Sequence, residues 1–263
     1  MQSRFFALLG AALLAPILAS AQAWVHIGPT GSPGGTSSPG GLYPEARSTI
    51  SVRELNVPGK ARKSFDKGSR LLDSGDAAAS VPEFQRAIAD YRFFSEAYYQ
   101  LGRAQLSLGL SQDAAQTFTK AIEVSAGRFA LPYFALSMAL CQQNNFAEGD
   151  TVAKTGLSLE PTSLLGQFAL SWAEVGLGRT ALAEKTLSEV LRRKTDFREA
   201  RLLLVELHFR AGDLRAMLDD VEGYLKLDAT SPVSARLRAL RENTLQSLAE
   251  SGSTPQLVDK DKP

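Results

Sequence analysis

The sequence predicts an all-α chain built as a stack of helical hairpins, about five in number, closed by one further helix. Three observations carry this reading. Gly75, Gly109, Asn144, Gly178 and Gly212 recur at intervals of 34, 35, 34 and 34 residues. Each is Gly or Asn, the residue types that tolerate the left-handed conformation at a helix C-terminus. On either side of each, apolar residues recur at helical spacing, with a large–small pair in both flanking segments.

The clearest copy runs from Ser95 to Ala126. Its first helix carries Tyr98, Leu101, Gly102 and Leu108, and its second carries Ala114, Phe118, Ala121 and Ile122. The small residues stand where two helix backbones approach, and the large ones fill the space between. This stretch resembles one tetratricopeptide repeat, the 34-residue helix–turn–helix unit with W-x2-L-G-x2-Y followed by A-x3-F. Tyr98 stands for the Trp and Gln105 for the Tyr. The second helices keep the pattern as Phe84 and Ala87, Phe118 and Ala121, Ala153 and Gly156, Leu187 and Val190, then Val221 and Tyr224. The first helices keep Leu101-Gly102, Leu136-Ser137 and Leu170-Ser171, and half of it in Lys67-Gly68 and Leu204-Val205. The resemblance implies a right-handed α-solenoid.

Before the array, residues 1–23 read as a signal peptide. Arg4 is followed by the apolar run Phe5–Leu18, then by Ala19-Ser20-Ala21 and Ala21-Gln22-Ala23, either of which offers a small-x-small cleavage site. The run is shorter than the roughly 20 residues that span a bilayer. The expectation is an exported protein, periplasmic or secreted, with no stable span after cleavage. Residues 24–48 are rich in Gly, Pro, Ser and Thr and read as a disordered linker, tipped by Trp24, Val25 and Ile27. Residues 49–59 alternate Ile50, Val52, Leu55 and Val57 with polar residues. They are expected to lie, extended, against the first repeat and cover its apolar edge.

The repeats occupy 60–228. Two departures from the pattern stand out. Pro82 falls in the second helix of the first copy, where an interior proline costs about 3 kcal/mol, and Ser80 and Glu83 have the spacing of a capping box. That helix is therefore expected to start near Ser80. The extra residue between copies two and three is placed at Gly127, with Pro132 in the following first turn. A capping helix is expected over 229–250, with Ser231 as cap and Pro232 at its first position. Residues 251–263 read as a disordered tail.

In this family the first helix of each repeat lines a concave face. Helical spacing then nominates a partner-binding groove: Tyr99 and Arg103, then Leu131, Phe134 and Met138 with Cys141, then Leu165, Phe168 and Trp172 with Val175. Phe65 and Ser69 extend it at one end, and Leu202, Glu206 and Arg210 at the other. Its apolar, aromatic character suits a partner helix or extended peptide, with Trp172 and Phe168 as anchors. Trp172 and Met138 are expected to be exposed in the groove. Phe134 and Phe168 could equally pack helix on helix. The family's carboxylate clamp of Lys, Asn and Arg is missing, since Phe65, Ser69, Gln100 and Ala135 stand in its place.

Net charge is +1, from 29 basic and 28 acidic residues, which argues against nucleic acid. Neither His26 nor His208 has metal-ligand spacing. No nucleophile elbow or phosphate loop is present. The expectation is no enzyme, no cofactor and no metal. Cys141 reads as a buried structural thiol, His208 as a packed or surface residue, and Asp219-Asp220 as a solvated face. The function expected is a non-catalytic scaffold for a protein or peptide partner. The alternative is a structural, self-assembling component.

Overall fold

The computed structural model describes residues 57–250. The stretches read from the sequence as signal peptide, linker with its Trp24 tip and C-terminal tail, and most of the extended lead-in, lie outside the described residues.

Eleven helices and no strand are found among the described residues. They are α1 (Gly59–Asp73), α2 (Ala77–Asp90), α3 (Ser95–Ser107), α4 (Ser111–Val124), α5 (Ala130–Gln142), α6 (Phe146–Leu159), α7 (Leu164–Gly176), α8 (Thr180–Arg193), α9 (Arg198–Ala211), α10 (Leu214–Leu227) and α11 (Pro232–Glu250). They pair as hairpins about the five turn residues. Gly75, Gly109, Gly178 and Gly212 have φ between 73° and 88°, and Asn144 has φ 61°. The repeat period is thus set by a backbone requirement: each hairpin needs one residue in left-handed space.

The described residues fall into two compact units that divide near the end of α8, one covering 57–190 and the other 191–250. In the first unit, α1 to α7 contact their neighbours in order, and the first helices α1, α3, α5 and α7 also touch one another in succession. That is the stacking of an α-solenoid. Phe84 and Phe118, both fully buried, press onto Gly68 and Gly102 of the paired helix. An added Cβ at Gly102 would lie 2.5 Å from the Phe118 ring. Val57 packs with Phe65 and Ile88 against Ala61, Ala87, Phe94 and Ala97, so this residue of the lead-in does lie on the first repeat.

In the second unit, α9 packs on α10 and α10 on α11. His208 Nδ1 lies 2.8 Å from Asp220 Oδ2, joining α9 to α10. Asp220 is therefore not on a solvated face as the sequence suggests; only Asp219 is exposed. The ion pair Arg241–Glu222, at 2.8 Å, fastens α11 to α10. Ser231 Oγ accepts from the Ser234 N–H at 3.2 Å, which caps α11 as expected.

The start of α2 differs from expectation. The helix begins at Ala77, with Pro82 inside it. Asp76 is the cap, its Oδ1 accepting from Ala79 N–H at 2.9 Å. Ser80 is occupied otherwise, its hydroxyl donating to Ala77 C=O at 2.8 Å. Glu83 is drawn away from any capping box by Lys67 at 2.7 Å and Arg86 at 2.8 Å. A good cap one turn upstream carries the helix through the proline.

Candidate functional site

The site is built from the first helices of the middle repeats, α3, α5 and α7, which stand side by side in the first unit. Helices enclosed by others are apolar on nearly every side, and α5 and α7 fit that description. In α5 eight consecutive residues, Phe134 to Cys141, are buried. In α7 the same holds for Ser171–Val175, with Leu164, Leu165, Gly166, Phe168 and Ala169 before them.

Of the nominated residues Tyr99, Arg103, Leu131, Phe134, Met138, Leu165, Phe168 and Trp172 of this row, seven are buried and only Leu131 is half-buried. The sequence leads to an expectation of exposure for Trp172 and Met138; they are 6% and 4% exposed, and that expectation is corrected. The surroundings of each ring can be read locally. Tyr99 sits between Phe118 of α4, with ring centroids 6.0 Å apart, and Phe129 before α5, at 5.5 Å. Burial pushes its hydroxyl pKa up. Phe134 is seated over Gly156 of α6 and Gly166 of α7, where a Cβ at either glycine would lie 2.5 Å from the ring. It packs helix on helix, the second of the two options the sequence leaves open. Phe168 is fully buried, and its ring centroid lies 6.3 Å from that of Trp172.

Polar groups punctuate the row. Arg103 places its guanidinium 6.0 Å from the Tyr99 ring centroid, within cation–π range. It donates to Gln100 Oε1 at 2.7 Å. Gln100 and Gln142 are half-buried, so with Leu131 they form part of the accessible surface of α3 and α5. Cys141 is buried as a structural thiol; burial raises its pKa to about 12, against an opposing hydrogen bond with Ser137.

Behind the row lies a feature that sequence reasoning missed. Asp150 on α6 is held by Lys154 at 2.8 Å and by Arg179, before α8, at 2.9 Å. Glu174 on α7 is 2% exposed, and its Oε2 has no hydrogen-bond partner among the described residues. Burial raises its pKa, and the charge of Asp150 raises it further; Lys154 and Arg179 oppose them. The visible signal was Asp150 and Lys154 at i, i+4 spacing, while Arg179 and Glu174 are brought in only by the stacking of hairpins. In the second unit, Glu206 Oε1 pairs with Arg210, and burial raises the Glu206 pKa. Among the described residues no cluster of three or more His, Cys, Asp or Glu could hold a metal ion. No described helix is long and apolar enough to cross a membrane.

The family profile for the tetratricopeptide repeat matches residues 65–129 and 168–232. Three solved structures share the fold. A thermophilic TPR protein of Thermus thermophilus is 22% identical, with TM-score 0.61, over 71% of this chain and 99% of its own. PilW, a type IV pilus biogenesis factor, is 14% identical, with TM-score 0.59, over 76% of this chain and 96% of its own. MamA from Desulfovibrio magneticus RS-1 is 15% identical, with TM-score 0.52, over 67% of this chain and 99% of its own. No curated protein matches the sequence.

Proposed function

We propose that this chain of tetratricopeptide repeats is a non-catalytic interaction scaffold that receives a peptide or partner helix along α3, α5 and α7. The observation that supports it most is the continuity of the row. The three helices touch in succession, and half-buried Gln100, Leu131 and Gln142 stand on them among the buried side chains of Tyr99, Arg103, Met138, Leu165, Phe168 and Trp172. An extended or helical segment with apolar anchors is the ligand class that fits. Function is not carried by the fold itself, and the solved structures contribute only their architecture.

The test is crosslinking capture from the cell envelope with the native chain beside a Gln100→Glu, Leu131→Glu variant. Both positions are half-buried and neither belongs to the core, so the fold tolerates the change. A partner held by the first and lost by the second supports the row as the docking site. Equal capture overturns it. The envelope is the relevant source because residues 1–23 have the pattern of a signal peptide; sequencing the N-terminus of the mature protein checks that address.

A second reading, self-association, is favoured by exposed leucines at the hairpin turns of the first unit. Leu108 and Leu110 flank Gly109, and Leu177 precedes Gly178. A mass that stays monomeric as concentration rises excludes it.

A further inference from the structure

We propose that Glu174 makes the joint between the third and fourth hairpins a pH-sensitive latch, closed while its carboxyl is neutral and loosened once it ionises. This does not rest on the functional reading above. It concerns how firmly α7 is held on α6.

The geometry leaves this carboxyl without a counter-charge. Asp150 on α6 takes both nearby cations, Lys154 on Oδ2 at 2.8 Å and Arg179 on Oδ1 at 2.9 Å. Glu174 on α7 is 2% exposed, and its enclosed Oε2 has no hydrogen-bond partner among the described residues. A buried carboxylate without a donor is far costlier than the neutral acid in the same place. The helices α5 and α6 pack against α7. There is no Asp, Glu, Lys, Arg or His on α5, whose titratable groups are Tyr133 and Cys141. On α6, Glu148 is exposed and accepts from Asn145 at 2.6 Å. Glu184 and Lys185, early in α8, are exposed. The cluster is thus one carboxylate shared by two cations, beside one carboxyl left to itself.

The joint around it has no slack. Two residues beyond Glu174, Gly176 receives the Phe146 ring of α6 so closely that a Cβ there would lie 2.2 Å from it. Beside Asp150, Gly149 faces α5, where a Cβ would lie 3.0 Å from Cys141 Sγ and 3.2 Å from the Ser137 carbonyl oxygen. In contacts this close a charged group cannot be rehydrated in place. An ionised Glu174 reaches water only if the end of α7 lifts from α6. The latch therefore works by local opening, not by global unfolding.

The direction follows from the neighbours. Burial raises the Glu174 pKa, the charge of Asp150 raises it further, and Lys154 and Arg179 oppose them. A carboxyl raised in the closed state holds the joint fully below the ordinary glutamate value and releases it as pH rises through the raised one. The joint is tight in mild acid and looser toward neutral pH.

Hydrogen exchange of the full-length protein, corrected for its intrinsic pH dependence, tests this between about pH 5 and about pH 8. The protection of α7 and of the start of α6 is expected to fall several-fold as pH rises, while that of α1 and α2 holds. In Glu174→Gln the protection stays high and flat. Two further variants move the midpoint of the fall. Asp150→Asn lowers it, because a raising charge is lost and two cations are freed. Arg179→Gln raises it, because an opposing charge is lost. A purely structural role would change the amount of protection without moving that midpoint. Circular dichroism checks that helix content is equal; if Asp150→Asn does not fold, Arg179→Gln carries the midpoint test alone. The proposal is overturned if the native chain shows no fall, if Glu174→Gln keeps it, if α1 and α2 lose protection together with α7, or if no folded variant moves the midpoint.

Discussion

The ring of Phe134 lies where a side chain on Gly156 would be. A Cβ at that glycine would stand 2.5 Å from Phe134 Cε1 and 2.9 Å from Tyr133 Cβ. In the first two hairpins the ring comes from the second helix, as Phe84 or Phe118, and the first helix offers the glycine. In the third hairpin the roles are exchanged: the first helix supplies the ring, Phe134, and the second supplies the glycine, Gly156.

Gly156→Ala is therefore expected to destabilise the protein by about 1–3 kcal/mol through overpacking. The cost should shrink in a Phe134→Leu background, since the two sites share one space. Urea unfolding of the two single variants and the double variant gives the coupling directly.

Pro82 is exposed inside α2 and can donate no backbone hydrogen bond. Pro82→Ala is expected to stabilise the protein by about 1–3 kcal/mol, because the interior penalty is removed and the Asp76 cap remains. A rise in the thermal midpoint with unchanged helix content is the predicted observation.

Asn144 is the one turn residue of the five that is not glycine, at φ 61°. Asn144→Val is expected to cost about 1–2 kcal/mol, the penalty of placing a β-branched side chain in left-handed space. Asn144→Gly should cost nothing measurable. Parallel melts of the two variants decide it.

Glu174 gives a pH prediction with a definite sign. Its pKa in the folded chain is raised by burial and then by Asp150. A carboxyl raised on folding contributes its stability fully below its unfolded value, near the ordinary glutamate range, and loses it as pH rises through the folded value. Glu174→Gln is therefore expected to stabilise the protein at pH 7, by about 1 kcal/mol for relief of a buried carboxylate oxygen without a partner. The advantage should vanish below the ordinary glutamate pKa. Unfolding midpoints at neutral pH and at about pH 4, the ordinary glutamate range, compare the two regimes.

The repeat period was open to sequence reading because left-handed backbone admits few residue types, so the five turn residues mark the hairpins. The cap of α11 was open for a similar reason, since Ser231 and Pro232 act locally. The start of α2 was not: Ser80 and Glu83 satisfy the spacing of a capping box, but Lys67 on another helix claims the carboxylate. The exposure expected of Trp172 and Met138 was not met. Helical spacing places Tyr99, Met138 and Trp172 on one side of their helices. It does not say what lies against that side, and so it could not give their burial. Phe134 lies against Gly156 and Gly166 of two other helices, a contact that no spacing within α5 records. Asp150 meets Arg179 only after two hairpins have stacked, which no local pattern records.

The exchange at Phe134 also bears on inheritance. Its ring leans on Gly166 as well as Gly156, so the third hairpin carries part of the fourth hairpin's interior. A gene duplication or swap that cut between these two would produce either a clash or a void. The third and fourth hairpins share this ring, so a chain built by adding or deleting units keeps Phe134, Gly156 and Gly166 together.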